Sequence, residues 1–100
     1  MIRHIVLWKF KEEAEGKSKA ENMQWVREHL YALCPTISEI KRMEIGTDIT
    51  GSEMSMDLML LTEFDSVDAM KRYAVHPEHV KVSTYVRKVI ETRVVLDCEL

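Results

Sequence analysis

Residues 56–64 read "MDLMLLTEF". The run is short, apolar and bounded by turn-rich "TDITGSEMS" (47–55) on one side and Asp65-Ser66 on the other, so it reads as a strand. Side chains alternate along a strand, which puts Leu58 and Leu60 on one face and Met59 and Leu61 on the other. A strand of a sheet covered by helices on one side should alternate apolar with polar. This one is apolar on both faces at its centre, and both therefore require burial.

Residues 2–10, "IRHIVLWKF", repeat the pattern. Ile2, His4, Val6, Trp8 and Phe10 share one face, and Arg3, Ile5, Leu7 and Lys9 the other. Polar residues continue through Gly16, with Glu12, Glu13 and Glu15 reading as a solvated loop. Ser18 and Glu21 have the spacing of a capping box and open a helix whose apolar positions are Ala20, Met23, Val26, Leu30 and Leu33, with Pro35 beyond it. Ile40 to Gly46 alternates as a further strand. After the 56–64 strand, Asp65 and Ser66 cap a helix with Val67, Met70, Tyr73 and Ala74 on one face. Pro77 starts another helical piece, and "TRVVLDCEL" (92–100) supplies the last strand. The order β-α-β-β-α-β is the split βαβ, ferredoxin-like α+β pattern, and one domain fills residues 1–100. Its helices can cover one sheet face only. The other is expected to pack on a second copy of the chain, and the face assigned to this homodimer carries Ile5, Leu7, Leu58 and Leu60.

Composition narrows the function classes. A chain of 100 residues buries only a modest share of its surface, which favours oligomerisation. Net charge is −3 with both signs interleaved and no basic block, so nucleic acid is not an expected partner. No apolar run approaches the length of a membrane span, and "IVLW" is too short for a signal-peptide core, so no membrane partner and a cytoplasmic location are expected. Cys34 and Cys98 form no ligand motif and read as reduced thiols.

The stretch "YAVHPEHVKV" (73–82) carries the chemistry. His76 and His79 are three apart with Pro77 between them, which is not the spacing of a helical metal pair, and no metal is expected. Pro77 and Glu78 suit the first turn of a helix, with His76 as its cap. His79 stands in register with Val82, Val86 and Val89 and so points inward. There it is either a hydrogen-bonded core histidine or a neutral imidazole able to act as a general base. Tyr73 lies on the interior face of the preceding helix, and a corner at Pro77 could bring its hydroxyl into the same space. His4 needs a polar partner on an otherwise apolar strand face. The generous count of seven methionines suits a pliable apolar lining, with Met59, Leu61 and Met70 expected among the walls beside Val6 and Trp8.

The opening "MIRHIVLWKFKEE", the "YAVHPEHVKV" segment and the closing "VLDC" resemble the stress-responsive A/B barrel (Dabb) family along essentially the whole chain. That resemblance implies a ferredoxin-like subunit that dimerises sheet to sheet into a dimeric α/β barrel. It also implies a site: a polyketide cyclase of the family, which forms olivetolic acid without a cofactor, has a Y-x-x-H-P-x-H motif that Tyr73 and His79 match as first and last letters. By the same resemblance His4, Val6 and Trp8 correspond to pocket positions, while Ile90, Met23 and Gln24 stand where that enzyme has aromatics. The expectation is a small apolar ligand, with cofactor-free acid/base catalysis on an enolisable carbonyl compound by His79 as base and Tyr73 as hydroxyl donor. The alternative is a non-enzymatic stress-response or structural homodimer in which the same side chains complete the core.

Overall fold

In the computed structural model, which describes residues 1–100, the two strands read first lie side by side at the centre of one sheet. Strand β1 (Ile2–Phe10) is followed by a two-residue-strand hairpin, β2 (Glu13–Ala14) and β3 (Lys17–Ser18), then helix α1 (Lys19–Tyr31). Strands β4 (Arg42–Thr47) and β5 (Leu58–Phe64), helices α2 (Val67–Val75) and α3 (Pro77–Val89), and strand β6 (Ile90–Glu99) complete the chain. The four long strands run β4-β5-β1-β6, with every neighbouring pair antiparallel. This is the ferredoxin-like α+β order, with all three helices available to one face. No helix is long and apolar enough to cross a membrane.

Local chemistry sets the boundaries. The Glu21 amide donates to Ser18 Oγ at 3.2 Å and the Ser18 amide to the Glu21 carboxylate at 3.0 Å, which is the capping box in full. Ser66 Oγ accepts from the Ala69 amide at 3.1 Å and starts α2. The hairpin between Glu13 and Ser18 was not anticipated. Glu15 and Gly16 both take positive φ, 52° and 73°, the backbone demanded by a two-residue turn of this hand. Along α1 the stripe is also shifted: Val26 and Leu30 are buried as expected, but Ala20 is exposed and Asn22 fully buried.

The strand register corrects one expectation. Val6 stands opposite Leu60 and Trp8 opposite Leu58, so Leu58 and Leu60 belong to the helix-covered face, each only 2% exposed. The open face instead pairs Ile5 with Leu61 and Leu7 with Met59, and β6 adds Leu96 and Val94 beside Ile5 and Leu7. Ile5, Leu7, Met59 and Leu61 are half-buried by one another, while Val94 and Leu96 remain 45% and 59% exposed. The assigned interface of Ile5, Leu7, Leu58 and Leu60 therefore mixes two faces. Periodicity fixes which residues of one strand share a face, and only the register says which faces of two strands coincide.

Candidate active site

The break between α2 and α3 builds the site. Pro77 cannot follow a helical residue without a clash, so His76 adopts extended backbone (φ −60°, ψ 133°), ending one helix and capping the next. Its Nδ1 accepts from the Glu78 amide at 3.1 Å, which occupies that ring as a cap. An unbroken helix would set residues 73 and 79 about 240° apart around its axis. The corner instead brings the Tyr73 and His79 rings to 4.3 Å between centroids, tilted by 46°.

His79 is held in one tautomer. Its Nδ1 lies 3.0 Å from the Ala74 carbonyl oxygen, which can only accept, so Nδ1 carries the hydrogen and Nε2 keeps a lone pair. Burial pushes the imidazole below the ordinary histidine value. The Ala74 hydrogen bond opposes that shift, and the charges of His4, Arg93 and Arg87 add to it. Tyr73 is 2% exposed and its hydroxyl has no hydrogen-bond partner. Burial, with a smaller contribution from Cys34 and against the Arg93 charge, raises that hydroxyl well above the usual tyrosine value, so it remains a proton donor. His4 faces the same region, its ring 6.5 Å from that of Tyr73. Its Nδ1 meets Asp97 Oδ1 at 2.5 Å across the β1–β6 pairing, which supplies the partner its strand face lacks.

These side chains enclose a cavity of about 340 Å³ between the sheet and α2–α3, within the range of small-molecule sites. Ten of its fifteen lining residues are hydrophobic, which selects for a largely apolar occupant. Trp8 forms part of the wall, 4% exposed, and its indole Nε1–H is the other buried polar group without a partner. The expected Tyr73, His79, His4, Val6 and Trp8 all line this space. Met59 and Leu61 do not: they project from the opposite face of the sheet, for the register reason given above. Met70 packs against the core from outside the cavity. Leu60 takes the wall position expected of its neighbours. Val82 and Val86, read on the inward stripe of His79, line the cavity; Ser83 and Arg87 were not anticipated, although they stand four and eight residues beyond His79 and so lie on the same side of the helix. Arg93, opposite Trp8 on β6, carried no local signal.

A ferredoxin-like subunit with a histidine–tyrosine cavity under its helices defines the class of this protein. The chain belongs to the stress-responsive A/B barrel domain family, whose sequence model matches residues 2–100. It is 32% identical over 79 residues, 79% of each chain, to an uncharacterized protein of Streptomyces coelicolor. Among solved structures it is similar to a dimeric protein of unknown function and ferredoxin-like fold from Bacteroides fragilis, with 33% identity, 99% of this chain and 95% of that one covered, and a TM-score of 0.88. It shares its fold with the hydroxynitrile lyase of Passiflora edulis at 20% identity, 97% and 90% coverage and a TM-score of 0.82. Several of the structures it resembles are described as dimeric.

Proposed function

We propose that the cavity binds a small, mostly apolar carbonyl compound and that the protein moves a proton on it without a cofactor. One observation carries this reading: two buried donors, the Tyr73 hydroxyl and the Trp8 indole N–H, lack acceptors in the wall of one cavity that also holds a neutral imidazole. Leaving buried polar groups unpaired costs about 1–3 kcal/mol each, a penalty removed when these side chains turn to meet a bound oxygen atom. In this mechanism His79 Nε2 takes a proton from the carbon next to the carbonyl. The electron pair moves onto the carbonyl oxygen, and the developing enolate accepts hydrogen bonds from Tyr73, assisted by Trp8. Asp97 orients His4 in the same wall as a binding group. The spacing shared with a polyketide cyclase supports the assignment of Tyr73 and His79, and closure of a ring or cleavage of a carbon–carbon bond would both begin from such an enolate.

The same reading makes the working unit a homodimer closed through the face bearing Ile5, Leu7, Met59 and Leu61, since this apolar face has no cover within one chain.

Exchange of α-protons tests the chemistry. A medium-chain methyl ketone in D2O, followed by proton NMR, is expected to exchange faster with the protein than with buffer. His79→Ala should remove about 10²–10⁴-fold of that rate while remaining folded, and Tyr73→Phe should lower it as well. If His79→Ala unfolds the chain, or leaves exchange untouched, the imidazole is a structural side chain and the enzymatic reading fails.

A further inference from the structure

Resting on the reading of the cavity as a ligand site, we propose that its ligand is an apolar carboxylic acid whose carboxylate is held by Arg87 and Arg93. The chain has six arginines. Arg3 and Arg42 meet Glu63, Arg72 meets Glu39, and Arg27 is held by the Ile45 carbonyl and the Thr47 hydroxyl. The two that line the cavity are the exceptions. Arg87 reaches only the neutral Ser83 hydroxyl, at 3.4 Å, and Arg93 makes no ion pair or side-chain hydrogen bond. A surplus of cations does not explain this, because acidic residues outnumber basic ones by 17 to 14.

The lining is as selective as the pairing. It contains two histidines and two arginines but no aspartate or glutamate, and the carboxylate that meets a lining side chain, Asp97, is engaged by His4. Arg87 comes from α3 and Arg93 from β6, so two arginines, both exposed at the cavity's solvent side, border one space from two elements. Their charges are felt at His79, after the larger effect of burial, and that of Arg93 also at Tyr73. A planar guanidinium binds a carboxylate through two parallel hydrogen bonds, which favours this anion over a spherical one. The apolar wall then takes the carbon chain, and the unpaired Tyr73 and Trp8 donors take a keto oxygen. The substrate class that satisfies all three regions is an oxo acid with an apolar tail. Binding of its carboxylate also offsets the guanidinium charges that depress His79, so the base strengthens when the ligand arrives.

Calorimetric titration of the intact protein with octanoate and with octanamide, its neutral isostere, tests this. The wild type is expected to bind octanoate about tenfold more tightly than the amide, the scale of one charge-assisted contact. The double variant Arg87→Gln/Arg93→Gln should bind the two with equal affinity, and Arg87→Lys/Arg93→Lys should recover part of the preference. Equal affinities in the wild type, or a preference that survives the double glutamine variant, overturn the carboxylate assignment while amide binding leaves the ligand site standing. Failure of both compounds to bind overturns the assignment together with the reading beneath it.

Discussion

His79 keeps one nitrogen engaged with the Ala74 carbonyl, so all of its proton exchange with a ligand passes through Nε2. Its imidazole titrates below the ordinary histidine value of 6.5, chiefly through burial. Because the base must be neutral, kcat/KM is expected to be flat from about pH 6.5 upward and to fall only at lower pH; an acid limb at or above the ordinary histidine value would contradict the buried-base assignment. Stability follows the same sign. Between pH 6.5 and the lower folded value, the unfolded chain binds a proton that the folded chain refuses, so stability drops as pH falls through that window. His79→Gln should flatten this segment of the urea-denaturation profile measured across pH. At this scale the sequence was informative, since the i+3, i+7 and i+10 register of Val82, Val86 and Val89 already turned His79 inward. The pairing of His4 with Asp97 was not, because 93 residues separate them and only the β1–β6 register joins them.

Elements are fastened to one another by a few polar contacts that composition does not advertise. The Tyr85 hydroxyl on α3 donates to Asn22 Oδ1 on α1 at 2.6 Å, and Asn22 Nδ2 donates to the Ala14 carbonyl of the hairpin at 3.0 Å. Trp25 stacks between His29 and Tyr85, with centroids 3.7 Å and 3.9 Å away. Tyr85→Phe leaves a fully buried Asn22 oxygen unpaired, and is expected to cost about 1–3 kcal/mol in chemical denaturation. A loss below about 0.5 kcal/mol would mean that the contact is dispensable. Helix and strand order were legible because caps, prolines and periodicity all agreed. The β2–β3 hairpin was not, since its turn places Glu15, a residue with no special preference for positive φ, beside Gly16. Asn22 likewise escaped a search for apolar stripes, being a polar residue buried with its partners.

For the whole molecule, the open sheet face decides the expected assembly. The wild type should sediment as a dimer at micromolar concentration, and Leu61→Glu should yield a folded monomer by analytical ultracentrifugation. Leu60→Glu, one residue away, should instead unfold the chain because Leu60 sits in the core. A wild-type monomer, or a Leu61→Glu dimer, would remove the open face as the interface. The sequence did hold a signal for telling the faces apart. Glu63 continues the Met59–Leu61 face, whereas uncharged Thr62 and Phe64 continue the Leu58–Leu60 face, which marks the latter as the one sealed under helices. The corner at His76 has a further consequence. Tyr73 and His79 lie within one seven-residue segment whose shape is set by a proline and a cap, while the surrounding walls come from β1, β5, α1 and β6 as well. The reacting pair and the shape of its chamber are thus encoded in separable parts of the chain. Replacements at Val6, Leu30 or Ile90 can redraw the chamber without moving the pair, so descendants of such a chain could exchange one substrate for another while inheriting the chemistry intact.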